Sequence, residues 1–127
     1  MAETQREAAR FAGYAAVFDR ADRSGDVIRP GAFGAVGLVP LYWQHDPRRV
    51  AGVIEAIGED AKGLRVIGRA AGVAEGMGLS FGYRVRRATQ GTNRQLEALE
   101  LIEVSLVRTP MQPLARVHAV EIFEAGE

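Results

Sequence analysis

The sequence predicts a mainly β domain of seven or eight short strands, arranged as a barrel or a sandwich. Three observations carry that expectation. The apolar runs are short and are bounded by glycine and proline. Several of them alternate with a period of two. No long amphipathic helical pattern interrupts them, and that many strands in 127 residues suit a small closed or stacked sheet.

The elements follow in order. Residues 10–19, "RFAGYAAVFD", form an aromatic-rich β-like run, and 20–34 form a loop with turn signals at Ser24-Gly25-Asp26 and Pro30-Gly31. Residues 37–46, "GLVPLYWQHD", alternate in part, placing Leu41, Trp43 and His45 on one face and Tyr42, Gln44 and Asp46 on the other, with Pro47 closing the run. Residues 50–60 and 63–72 read as a hairpin turned by "EDAKG". A further strand at 79–89 turns at Gln90-Gly91-Thr92-Asn93. Helix formers fill "RQLEALEL", yet strand is the better reading, because a hairpin turn precedes it and clean alternation follows. There Leu101, Glu103, Ser105 and Val107 share one face and Ile102, Val104 and Leu106 the other, until Pro110 and Pro113 end the run. Residues 114–123 are the last candidate strand. One domain is expected over 11–123, between a flexible 1–10 and a frayed 124–127.

Composition narrows the chemistry. Lys plus Arg and Asp plus Glu are 16 each, so the formal net charge is zero and gives no electrostatic case for nucleic acid or a membrane surface. The absence of cysteine excludes disulfides, thiolate catalysis and zinc–cysteine sites. The polar N-terminus lacks the apolar region of a signal peptide, and no apolar run approaches the roughly 20 residues of a membrane span. The expectation is a soluble, intracellular, single-domain protein. Neither a P-loop nor metal-ligand spacing is present, so no cofactor and no metal is expected.

Gly78-Leu79-Ser80-Phe81-Gly82 matches G-x-S-x-G, the nucleophile elbow of the α/β-hydrolases. Ser80, Glu100 or Glu103, and His118 would even follow that fold's chain order. The context does not fit: Ser80 opens a strand-like run with no βαβ unit around it, and the chain is short for that fold. A serine still needs a base and the base a third group, and His45 and His118 are the whole imidazole supply. His45 ends an apolar strand, where a side chain is held rigidly and still reaches a cleft. Glu103, amid "LIEVSLV", is a carboxylate in need of a partner, which a histidine supplies. Ser105 shares its face and is a lesser candidate. Asp46, adjacent to His45, reads as structural; His118 as a barrel-rim residue; Arg84, Arg86 and Arg87 as a solvated face.

The blocks "GYAAVFDRADRSGDVIRPGAF", "PLYWQHDPRRVAGVI", "GLRVIGRA", "GLSFGYRV" and "ELIEVSLVRTPMQPLARV" together resemble the caudovirus prohead proteases, in order over about residues 11 to 118. The resemblance implies a herpesvirus-assemblin-like fold: a closed antiparallel β-barrel of about six to eight strands, α+β in the sense of few or short helices around it. It implies a Ser80 nucleophile and a His45 base, with an acidic residue or a second histidine as third member, for which Glu103 is the choice. It also points to a loop beginning at Arg108 that offers backbone N–H groups to an oxyanion. The implied substrates are the major capsid protein and its scaffolding segment, and the protease itself, inside the immature head in the host cytoplasm. A homo-oligomer is a further expectation. One departure stands out. The family leads one to expect a helix of about five turns before the serine block, where "AAGVAEGM" (70–77) has room for only a turn or two. That departure motivates the alternative, a non-catalytic scaffold or assembly factor of the same fold.

Overall fold

The structure, a computed structural model, describes residues 8–123. These hold eight strands and no helix: β1 (Ala8–Val17), β2 (Val27–Ile28), β3 (Leu41–Trp43), β4 (Asp46–Glu59), β5 (Gly63–Ala71), β6 (Gly78–Gln90), β7 (Arg94–Val107) and β8 (Val117–Phe123). The expectations for 1–7 and 124–127 lie outside the described residues, and β1 already begins at Ala8.

Local chemistry and cross-strand pairing set the β4–β5 and β6–β7 hairpins. Between β4 and β5, Asp60 turns the chain by accepting the Lys62 and Gly63 amides on Oδ1 at 2.8 and 3.1 Å. β6 and β7 then pair from Gln90↔Arg94 down to Gly78↔Val107. "RQLEALEL" is therefore strand throughout, because cross-strand pairing along the whole of β6 outweighs its helix propensity.

A single sheet runs β2/β3–β4–β5–β1–β8, with β7 against β2 and β3 on one edge and β6 on the other. Two corrections to the expected barrel follow. The sheet is mixed, since β2 and β3 both run parallel to β7. It is also not closed. The end strands β6 and β8 have no shared ladder; a lone bridge, Gly78↔Arg116, lies just before β8. Around it Leu79 N–H donates to Ala115 O at 2.9 Å and Val117 N–H to Met77 O at 2.8 Å. The next rungs would set Ser80 and Phe81 against Leu114 and Pro113. Pro113 has no N–H to give, and Ala115 N–H turns back to Gln112 O. The ladder therefore stops after one bridge.

The core is gathered on the inner face of this sheet, with Phe11, Leu64, Leu79, Leu96, Val104 and Leu106 all at most 1% exposed. Full burial of each such side chain contributes roughly 1.5–3 kcal/mol. Leu79 and Phe81 of β6 face Leu106 and Val104 of β7 across the ladder. Their burial turns the alternate residues, Ser80, Gly82, Glu103 and Ser105, to the opposite face of the same two strands.

Candidate active site

The site is assembled where β3 meets the end of β7. β3 stops at Trp43, which pairs with Asp46, leaving Gln44 and His45 as a two-residue hairpin turn with φ of 52° and 61°. The expected alternation of Leu41, Trp43 and His45 on one strand face therefore ends before His45. Pro47 does not close the run; it lies in a wide bulge of β4, where the pairing jumps from Trp43↔Asp46 to Tyr42↔Val50. Such turns favour Asn and Gly, and a left-handed non-glycine residue costs on the order of 1–2 kcal/mol. Three hydrogen bonds to β7 and its continuation hold the turn in place. Gln44 N–H donates to Leu106 O at 3.0 Å, His45 N–H donates to Ser105 Oγ at 3.0 Å, and Arg108 N–H donates to Gln44 Oε1 at 2.6 Å.

This turn carries His45 onto Glu103. Nδ1 of His45 lies 2.6 Å from Glu103 Oε2. Against an ionised carboxylate Nδ1 must carry the hydrogen, which leaves Nε2 as the basic nitrogen. The hydrogen bond to Glu103 raises the His45 pKa above its ordinary value, against a smaller opposing effect of burial. Glu103 is 8% exposed, and its other oxygen, Oε1, accepts the Ser105 hydroxyl at 2.7 Å. Gly82 leaves room opposite it: a Cβ there would stand 2.5 Å from Glu103 Oε2 and force that carboxylate to shift.

Ser80 pairs directly with Ser105 across β6 and β7, two rungs from Gly82↔Glu103 and so on the same face. Residues facing each other in this way carry their side chains on the same side, about 5 Å apart at Cβ. Ser80 and His45 line one open pocket of about 410 Å³, together with Arg23, Gln44, Val107 and Arg108. The Ser80 hydroxyl makes no hydrogen bond to any described residue. The first glycine of the motif has a steric reason too, since a Cβ on Gly78 would meet Pro110 Cδ at 2.7 Å and Val107 O at 2.8 Å. A larger pocket of about 540 Å³ adjoins, sharing Gln44, Val107 and Arg108 and adding Trp43 and Met77.

The remaining sequence candidates are placed elsewhere. Asp46 accepts the Arg48 amide and Nε at 2.9 and 3.3 Å. His118 is exposed and its ring lies against Tyr14 at 5.8 Å, so Ser80, Glu100 and His118 are not brought together. Glu100 pairs instead with Arg86, and Arg84 lies 3.8 Å from it, on an exposed arm of the β6–β7 hairpin. Arg108 is exposed beside the pocket, with its backbone N–H held by Gln44. Between β5 and β6 no helix forms: Gly72 and Gly76, with φ of 78° and 86°, make tight turns that lead directly into β6. Among the described residues no group of three or more His, Asp or Glu side chains is placed to hold a metal ion.

Two contributors were not singled out from the sequence. Gln44 carries no turn signal, and its side-chain Oε1 accepts the Arg108 N–H from a left-handed turn position, φ 52°. Gln112, 4% exposed, bonds Val17 N and O at 2.8 Å each and ties the segment after Pro110 to β1.

The family model described as caudovirus prohead serine protease matches residues 1–125. The chain belongs to this family. A prohead protease of Enterobacteria phage HK97 is 37% identical over 65 residues, which are 46% of this chain and 29% of that protein. The chain thus spans less than a third of that relative's length. Among solved structures, the protease of varicella-zoster virus matches at 28% identity with a TM-score of 0.41, over 50% of this chain and 32% of that one. Family membership agrees with the resemblance read from the sequence blocks.

Proposed function

We propose that this prohead protease family member is a serine endopeptidase of capsid maturation, with Ser80 as nucleophile, His45 as general base and Glu103 as the group that orients His45. The observation that carries the reading is the 2.6 Å contact of buried Glu103 with Nδ1 of His45, a residue that lines the same pocket as Ser80. Ser80 Oγ attacks the peptide carbonyl carbon while its proton passes to His45 Nε2. The imidazolium, stabilised by Glu103, then gives that proton to the leaving amine nitrogen as the C–N bond breaks. Water, deprotonated by His45 Nε2, attacks the acyl carbon; the ester C–O bond to Ser80 breaks, and His45 Nε2 returns the proton to Ser80 Oγ. The Arg108 N–H is the candidate oxyanion donor, once an incoming carbonyl oxygen takes the place of Gln44 Oε1.

The substrates are the major capsid protein with its scaffolding segment, and the protease chain itself, within the immature head in the host cytoplasm; self-association accompanies assembly. A second reading is favoured by two features: the Ser80 hydroxyl bonds to none of the described residues, and the Arg108 N–H is occupied by Gln44. On that reading the chain is a non-catalytic scaffold or assembly factor of the same fold. Co-expression with the capsid precursor separates the two. The protease reading expects truncated capsid protein with the unaltered chain and full-length precursor with Ser80→Ala or His45→Ala. Equal processing with Ser80→Ala would refute it.

A further inference from the structure

Ser105 stands at the junction of the proposed triad without belonging to it. It is fully buried, and both capacities of its hydroxyl are used. Its hydrogen goes to Glu103 Oε1 at 2.7 Å, and its oxygen accepts the His45 amide at 3.0 Å. It also sits directly across the ladder from Ser80. One hydroxyl therefore touches the carboxylate that faces the imidazole and the backbone that carries the imidazole, under the strand that carries the nucleophile. This also tells the two serines apart. The Ser105 hydrogen is committed to a carboxylate and its oxygen is out of reach of solvent, whereas Ser80 opens on the pocket.

We propose that Ser105 is a positioning residue of the proteolytic site, which aims Glu103 Oε2 at His45 Nδ1, fixes the strained His45 turn against β7 and restrains the basicity of His45. The proposal rests on the assignment of His45 and Glu103 to catalysis. Its physical basis is charge sharing in a carboxylate. A hydroxyl donated to Oε1 stabilises negative charge there and so leaves less on Oε2, the oxygen that holds the imidazolium proton. Removing that donor concentrates charge on Oε2 and strengthens its hold on protonated His45. Few other charges face the ring. Glu103 of β7 is the group that acts on it; Arg23, before β2, and Arg108, after β7, line the same pocket; Asp46 of β4 is engaged by Arg48.

The test compares Ser105→Ala with Ser105→Cys, which keeps the size and a weak donor, by following the His45 ring through its titration by NMR and the pH profile of kcat/KM on a capsid-precursor peptide. In the alanine variant the ring should titrate above the unaltered protein, and the acid limb of kcat/KM should move up with it. Its kcat should fall on the order of tenfold to a hundredfold with KM nearly unchanged. The cysteine variant should lie between the two, and it carries the test if the alanine variant does not fold. A His45 ring that titrates at or below the unaltered value in a folded variant would overturn the proposal. If the ring moves up while no variant, nor the unaltered chain, cleaves peptide, Ser105 keeps its positioning role and the peptidase reading falls.

Discussion

His45 is held by a residue that also sets when it can act. Because its hydrogen bond to Glu103 raises the pKa above the ordinary histidine value of about 6.5, the proposed base is neutral only at higher pH. The acid limb of kcat/KM should therefore lie above that value, and Glu103→Gln should move it down. The same substitution should lower kcat on the order of 10⁴-fold, the cost of losing the tautomer-fixing carboxylate in serine proteases. Stability responds with the opposite sign. A histidine whose folded pKa is raised adds stability that is fully present below the unfolded pKa and is lost as pH rises through the folded one. Urea unfolding should show the gap between the unaltered chain and Glu103→Gln shrinking as pH rises past neutrality. Gly82→Ala should abolish cleavage, since its Cβ would stand 2.5 Å from the oxygen that binds His45; unimpaired cleavage would show that Glu103 can occupy another position.

The strands divided into those written locally and those decided by distant partners. β7 was legible because its alternation puts Val104 and Leu106 inward and Glu103 and Ser105 on the other face, and the register with β6 keeps that division. The turn at Gln44 and His45 was not legible. Neither residue is among the Asn, Asp and Gly that mark such two-residue turns, and bonds to β7, about 60 residues away in the chain, hold them there. Ser105 was visible as a neighbour of Glu103 but not as its partner, because its two bonds depend on that same turn. The open seam also escaped the sequence reading, although its cause, Pro113, was in plain view; which strand faces it depends on the path of the sheet. Gln112 belongs to this class too. Gln112→Ala should leave the Val17 N–H and C=O without their buried partner and cost about 1–3 kcal/mol in urea unfolding.

As a unit, the sheet carries its core on one face and the proposed chemistry on the other side of β6 and β7, so a core lesion should act on both. Phe11→Ala, at a side chain 1% exposed, should destabilise by about 3–5 kcal/mol in equilibrium unfolding. A loss under 1 kcal/mol would mean that β1 packs otherwise. The short connection from β5 to β6 replaces the expected helix with two glycine turns, yet Ser80 remains in register opposite Ser105. The segment before the serine thus shapes the pocket wall around Met77, while pairing with β7 places Ser80. The decisive measurement is reaction with a fluorophosphonate, with the adduct located by mass spectrometry. The account predicts a single phosphonylated residue, Ser80, and loss of the adduct in His45→Ala. An adduct on another residue, or equal labelling of Ser80 in His45→Ala, would contradict it.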